Sequence, residues 1–350
     1  MSTRDLRPTR LGWGWLAGSL AVLGVAILAG ALIGPVGMDV GSVLRSALDH
    51  LPFVSVDSGL SDRQEVILWD LRMPRVILGV LVGGMLAIAG GAYQGTFRNP
   101  LADPYLLGVA AGAGLGATLA ITAGATGEGW PIDPLPLAAF LGALIGVALT
   151  YAMGYSLRSG RTAVTLILAG VAVAAFLTAV QTYVQQRESE SLRQVYGWIL
   201  GRLSTVGWKE VLLVIPYVAA CSIVILLGRR LLDVMSVGDH EAGALGLNPN
   251  WVRLAIVIAA TLGTAAAVAV SGLIAFVGII VPHTVRLLAG TSYRIVLPLS
   301  LILGGAFLVV ADIFARTLMA PAELPIGVVT AFVGAPFFAV VLKTNRSTGP

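Results

Sequence analysis

Charged residues are scarce in this sequence. Asp, Glu, Lys and Arg make up only 11% of its 350 residues, while 57% are hydrophobic. Soluble domains carry about 25% charged residues, so the composition excludes a large soluble core. Several apolar runs reach the roughly 20 residues that an α-helix needs to cross a bilayer. The sequence therefore predicts an all-α integral membrane protein that forms a single transmembrane domain over residues 1–350.

Cysteine, histidine and nucleotide-binding motifs are also rare or missing. The single cysteine, Cys221, lies in an apolar run, which excludes a disulfide framework and a cysteine-based metal site. The three histidines, His50, His240 and His283, have no partners at ligand spacing, so we expect no metal site. The sequence contains no G-x-x-x-x-G-K-[ST] phosphate-binding loop. We therefore expect that the chain is not an enzyme and binds no cofactor or nucleic acid.

The apolar runs predict ten transmembrane spans. An even number places both termini on one side, and the loops on that side carry thirteen basic and five acidic residues. The positive-inside rule then puts both termini in the cytoplasm. Basic residues precede a first apolar run that is too long for a cleaved signal, so we expect a retained span there. The ten spans are residues 11–34, 74–96, 105–125, 134–157, 163–184, 209–228, 251–270, 273–290, 294–316 and 326–343.

Three segments between the spans are distinctive. Residues 35–73 are expected to form the largest outer loop, and residues 229–250 a cytoplasmic loop. The spacing of apolar residues within 185–208 predicts an outer amphipathic helix with Trp198 and Trp208 at headgroup depth. Gly272 and Pro282 predict an irregular eighth span, which needs protein or a cavity to cover its backbone polar groups.

A short charged helix is predicted at residues 238–248, within the cytoplasmic loop. Asp239 is suited to cap its start, Glu241 lies in its first turn, and Gly246 supplies the stop. Ala242 and Leu245, three residues apart, predict one apolar face. The pattern fits two interpretations, a docking site for a soluble partner or an ordinary capped loop.

Few polar side chains lie within the spans. Gln94, Thr178, Gln181 and Thr182 are either helix–helix hydrogen-bonding groups or the lining of an uncharged pathway. Almost no charges lie at mid-membrane depth, which counts against an ion-coupled secondary transporter.

Arg72 and Arg75 precede the second span. They suit either lipid anchoring or the binding of a partner's carboxylates.

Many of these motifs occur together in one family. The chain resembles the permease subunits of ABC importers for vitamin B12, haem and iron–siderophore complexes, the BtuC/FecCD family. The matching segments are 71–75, 94, 98–104, 107–108, 168–172, 197–201, 238–248, 272–278, 282–283 with 286, 311–312 and 323–330.

The resemblance implies an assembly and a set of partners. It implies a ten-span homodimer in a prokaryotic inner membrane, two ATPase subunits that carry ATP and Mg, and an extracytoplasmic binding protein. The ATPases would dock on a coupling helix that includes Asp239, Glu241, Ala242, Leu245 and Gly246. The binding protein would meet Arg72, Arg75 and Arg316.

The resemblance also implies a pathway and a cargo. The path or its gate would include Gln94, Asn99, Pro100, Leu101, Ala163, Val164, Thr178, Gln181 and Thr182. We expect the cargo to be an iron–siderophore or haem complex, with a corrinoid as the alternative.

Overall fold

The computed structural model describes residues 10–50, 55–125, 133–156, 163–203 and 207–346, and these residues are almost entirely helical and contain no strand. The helices are α1 (Trp13–Leu32), α2 (Val40–Asp49), α3 (Asp62–Val66), α4 (Met73–Phe97), α5 (Val109–Thr122), α6 (Pro134–Ser156), α7 (Ala163–Arg187), α8 (Leu192–Ile199), α9 (Lys209–Leu227), α10 (Arg229–Met235), α11 (Asp239–Ala244), α12 (Pro249–Ser271), α13 (Val277–Leu288), α14 (Tyr293–Thr317) and α15 (Ile326–Arg346).

Seven helices in this part of the chain are long and apolar enough to cross a membrane: α1, α4 with the turns before it, α6, α7, α9, α12 and α14. Three further apolar helices are shorter, namely α5, α13 and α15. Each of these ten helices coincides with one predicted span, which confirms the all-α class. The eighth is short because the chain is not helical between Gly272 and Phe276, both of which have positive φ.

Helix α4 lies at the centre of the bundle and is buried along most of its length by α14, α12, α13 and α9. Its glycines allow this packing. Gly83 meets the backbone of Gly304 on α14, and Gly90 meets the backbone of Gly278 on α13, so closely that a Cβ at either position would clash with a carbonyl. Small residues of this kind let membrane helices approach to backbone contact.

The structure adds detail to two of the predicted connecting segments. The segment before α4 is not mainly loop, since α2, α3 and a π-helical turn at Ile67–Arg72 fill it. The amphipathic helix exists as α8, but Trp198 is only 4% exposed and packs inside the protein. Residue Trp208 donates its indole N–H to the carbonyl of Trp69 at 3.0 Å.

Candidate functional site

A cluster of charged side chains lies where α4 begins and α14 ends. We call it the Arg75 cluster, and it consists of Arg72, Arg75, Asp312, Arg316 and Glu323. The Arg75 guanidinium binds Asp312 through Nε and Nη2 at 2.8 to 3.1 Å, and Glu323 through Nη1 and Nη2 at 2.9 and 3.0 Å. The side chain of Asp312 is 3% exposed, whereas that of Glu323 is 49% exposed. Arg75 therefore holds one buried and one accessible carboxylate.

The other two arginines of this cluster bind carbonyls of α1. Arg72 is 5% exposed and donates from Nη1 to the carbonyls of Ala31 and Leu32 at 2.8 and 3.0 Å. Arg316 lies 3.4 Å from Asp312 and donates to the carbonyl of Gly30 at 2.8 Å. Both arginines thus satisfy carbonyls at the end of α1 that have no helical partner.

These contacts bear on the arginine prediction. The structure brings Arg72, Arg75 and Arg316 together, but it gives each of them a partner within the same chain. Docking of a binding protein at these residues stays a prediction. It requires that a partner either replaces an internal contact or adds to one.

The segment 238–248 lies at the opposite end of the bundle and contains the predicted short helix, α11. Gly246, at φ 83°, ends it, and the N–H of Leu247 bonds back to the carbonyl of Ala242 at 3.1 Å. This is the glycine-terminated helix end that the sequence predicts. The prediction for Asp239 was wrong, because Gly238 occupies the N-cap position and no side chain caps the helix.

Asp239 instead makes ion pairs with two other elements. Its carboxylate lies 3.2 Å from Arg98, at the end of α4, and 3.0 Å from Arg253, on α12. The side chain of Asp239 is 44% exposed. These pairs hold α11 against the ends of two spans.

The predicted apolar face of α11 does not exist. Ala242 is fully buried against the bundle, while Leu245 is 73% exposed. Leu245 is the C-cap residue, at the end of the helix, and it is not covered by the bundle as Ala242 is. Ala242 therefore anchors α11 and is not available to a partner, whereas Glu241 and Leu245 face outward.

Helix α10 is fastened to α14 just ahead of the 238–248 segment. The carboxylate of Asp233 accepts hydrogen bonds from the Ser292 hydroxyl at 2.7 Å and from the backbone N–H of Tyr293 at 2.6 Å. Arg294 lies 3.3 Å from the same carboxylate. Asp233 is thus a capping group for α14 that comes from a different helix.

The polar residues of the spans fall into two groups. Gln94 is 1% exposed, donates to the Gly278 carbonyl at 2.9 Å and accepts from Arg286, so its side chain is used between helices of one chain. Gln181 is 8% exposed and lies close to Gly114 on α5. Both occupy helix contacts within one chain, and a pathway role for either stays a prediction.

Thr178 and Thr182 are different, because both are exposed on the surface of α7. Thr182 donates its hydroxyl to the carbonyl of Thr178 at 2.8 Å. Among the candidate pathway residues of α7 whose side chains the structure describes, these two share an open face and Gln181 does not.

The predicted gate segments lie at the same end as α11. Residue Asn99 ties the turn after α4 by accepting from the N–H of Leu101 at 3.0 Å, and Pro100 and Leu101 are exposed. Residues Ala163 and Val164 form the start of α7, and their side chains lie outside the described part of the structure.

Several residues that shape these sites were not identified from the sequence as contacts. They are Glu323 and Asp312 as partners of Arg75, Arg98 and Arg253 as partners of Asp239, and Asp233 as the cap of α14. Each contact joins residues far apart in the chain, so no local pattern predicts it. The only available signal was that a charged residue in an apolar protein needs a partner.

A bundle of long apolar helices with a short charged helix at one end and arginines at the other has the architecture of a multi-pass membrane protein. The chain belongs to the FecCD transport family, whose model matches residues 15–344.

Relatives cover nearly the whole chain. The ABC transporter permease protein YvrB of Bacillus subtilis is 38% identical, over 93% of this chain and 92% of its own length. The cobalamin import system permease protein BtuC of Halobacterium salinarum is 36% identical over 98% and 99%. The hemin transport system permease protein HmuU of Yersinia pestis is 38% identical over 79% and 83%.

A solved structure shares the architecture. An inward-facing metal-chelate type ABC transporter superposes with a TM-score of 0.80 at 28% identity, over 94% of this chain and 98% of that one. The protein is therefore a multi-pass inner-membrane subunit of the ABC permease type, a transport subunit of a family whose members are not themselves enzymes.

Proposed function

We propose that two copies of this chain form the translocation unit of an ATP-driven importer for a metal chelate, either an iron–siderophore or a haem complex. All ten apolar helices span the membrane in this proposal, and both termini lie in the cytoplasm. The Arg75 cluster then faces the extracytoplasmic side and the 238–248 segment the cytoplasm. Relatives that are hemin and Fe(3+)-citrate permeases support the cargo class, and cobalamin permeases keep a corrinoid as the second candidate.

The observation that carries the proposal is the 238–248 segment. It presents the exposed side chains of Glu241 and Leu245, while Ala242 and the Asp239 ion pairs hold it to the bundle. A firmly held segment with one exposed charged side chain and one exposed apolar side chain fits a soluble subunit that docks on it and moves it. ATP and Mg would bind to that ATPase.

The geometry of the segment also suggests how its movement would reach the gate. Asp239 is paired with Arg98, directly before the predicted gate residues Asn99, Pro100 and Leu101. A displacement of α11 therefore acts on the turn at the end of α4 through one ion pair. The rocking of rigid helices, with Thr178 and Thr182 on the open face of α7, would alternate access to a path between the two copies.

Uptake into liposomes tests the proposal. The chain is reconstituted with the ATPase encoded beside it, and the binding protein from the same locus is added outside. Labelled ferric siderophore, haem and cobalamin are offered separately, with and without internal ATP. Accumulation of one ligand that depends on both ATP and the binding protein supports the proposal and identifies the cargo. Uptake that is indifferent to ATP would overturn it and would favour a secondary transporter.

A further inference from the structure

Three members of the Arg75 cluster, namely Arg75, Asp312 and Glu323, border a small cavity. The cavity has a volume of about 150 Å³, and Arg75, Asp312, Glu323 and Arg202 are among the residues that line it. Arg202 is exposed, and it has no ion pair or side-chain hydrogen bond among the described residues. In the described part of the chain, Arg202 is thus an unpaired cation beside Arg75, which already holds two carboxylates.

The backbone of Arg202 is held firmly. Its N–H donates to the carbonyl of Ser271 at 2.7 Å, and the preceding residue, Gly201, accepts from the N–H of Ile326 at 3.3 Å. These bonds fix Arg202 between the ends of α12 and α15. Its side chain is therefore presented from a rigid base, and it forms no ion pair or side-chain hydrogen bond with the residues that the structure describes.

Charge balance points to the kind of partner. The Arg75 cluster and Arg202 together contain four arginines and two carboxylates, a net charge of +2. The buried Asp312 is enclosed by Arg75 and Arg316 and is out of reach of a partner. Glu323 is half exposed, so a carboxylate from outside can take its position on the Nη1 and Nη2 atoms of Arg75.

We propose that Glu323 is a resident carboxylate that occupies Arg75 in the free permease. A carboxylate of the extracytoplasmic binding protein displaces it and takes Arg202 as a second contact. This inference rests on the proposed function. It differs from the predicted role of Arg72 and Arg316, which hold α1, and it assigns the direct contacts to Arg75 and Arg202.

Binding of the neighbouring-gene binding protein to the purified permease in nanodiscs tests this exchange. Glu323→Gln removes the competing charge, so we expect binding about two- to fivefold tighter, the size of one half-exposed ion pair. Adding Arg75→Gln to Glu323→Gln should abolish the gain. Arg202→Gln should weaken binding about threefold or more, mainly through slower association at low salt.

Matched controls separate these effects from general charge changes. Arg45→Gln removes an exposed arginine of α2 that does not line the cavity, and it should leave affinity unchanged. Thermal unfolding of each variant checks that the fold is retained.

The outcomes distinguish the two levels of inference. Affinity that is unchanged or weaker in Glu323→Gln, or unchanged in Arg202→Gln, overturns the exchange while the importer assignment stands. Failure of the unmodified permease to bind the protein overturns the proposed function and the exchange with it. Tighter capture of free ferric citrate by Glu323→Gln, without a gain in affinity for the binding protein, would assign Arg75 and Arg202 to cargo contact. That result would also overturn the exchange.

Discussion

Asp312 and Asp239 each bind two arginines, at opposite ends of the same bundle. Asp312 is 3% exposed, with Arg75 and Arg316 only 14% and 7% exposed, whereas Asp239 is 44% exposed and its partners Arg98 and Arg253 are 44% and 13% exposed. The number of partners is the same, but the surroundings differ. Ions that lack water depend fully on each other, while ions in water lose little when they separate. Asp312 therefore locks helices together, and Asp239 makes a contact that can be remade as the helix moves.

Breaking the buried network should have the largest effect. Arg75→Gln leaves Asp312 with one cation inside the protein, and removal of one partner of a buried pair costs about 3 kcal/mol. We expect a large loss of stability, measured as a lower unfolding temperature and a lower yield of folded protein. If Arg75→Gln loses no more stability than Arg98→Gln, the difference in burial between Asp312 and Asp239 does not change the strength of their ion pairs.

The next largest effect should come from the exposed face of α11. Leu245→Asp places a charge where a partner is expected to dock, without disturbing the buried Ala242. ATP-driven uptake should fall about tenfold or more, because one desolvated charge at an interface costs over about 1.4 kcal/mol. Uptake assays on Leu245→Asp and Glu241→Lys check this.

The control for these variants is Leu44→Asp, at an exposed position of α2. It should retain uptake. Full ATP-driven uptake by Leu245→Asp would contradict the docking role of the 238–248 segment.

A third prediction extends the comparison of Asp312 and Asp239 to a carboxylate that has no cationic partner. Asp103, after α4, accepts the N–H of Tyr105 at 2.8 Å and has no cationic partner among the described residues. Burial raises the pKa of Asp103 from 3.8 to about 6. The folded state therefore holds the proton of the Asp103 carboxyl more tightly than the unfolded state does. The stabilisation that this proton gives is fully present below about pH 4 and is lost as pH rises through about 6. We expect a loss of about 1 kcal/mol between pH 5 and 7.

Thermal unfolding as a function of pH measures this effect. Asp103→Asn keeps an acceptor for Tyr105 but cannot titrate, so the difference between pH 5 and 7 should shrink by that amount. An identical pH dependence in both proteins would show that Asp103 is as well solvated as an ordinary surface carboxylate.

The smallest change in stability is expected at the exposed ion pair between Arg98 and Asp239. Arg98→Gln should lower the free energy of unfolding by only about 0.5 kcal/mol, the usual value for an exposed ion pair. Arg253 still holds Asp239 in that variant. A loss of several kcal/mol, measured by chemical or thermal unfolding, would mean that the 238–248 segment is as rigid as the Arg75 cluster.

The sequence predicted most of the helices, because a span is a local property. Twenty apolar residues cross a bilayer whatever their neighbours are, and Gly246 ends α11 by its own backbone freedom. The break at Gly272 was readable for the same reason, whereas the break expected at Pro282 was wrong, because Pro282 lies within α13. The short charged helix at 238–248 was identified from local capping and charge patterns.

The contacts of the charged residues could not be predicted in this way. Asp239 was assigned to a cap because capping is the commonest local use of an aspartate, but Arg98 and Arg253 compete for it from two other helices. Trp198 was placed at the headgroups by its type, although the fold buries it. Arg72 was expected to face a partner, and only the position of α1 shows that it also binds carbonyls within the chain.

The two ends of α14 are both fastened, one by Asp233 and the other by Asp312. Halfway between them, Gly304 rests against Gly83 of α4 with no side chain in between. With 25 residues, α14 is about 37 Å long, so a tilt of about 5° about that glycine contact moves its ends by about 1.6 Å in opposite directions. If α14 tilts as a rigid body, a displacement at its α10 end therefore reappears, reversed in direction, at the Arg75 cluster.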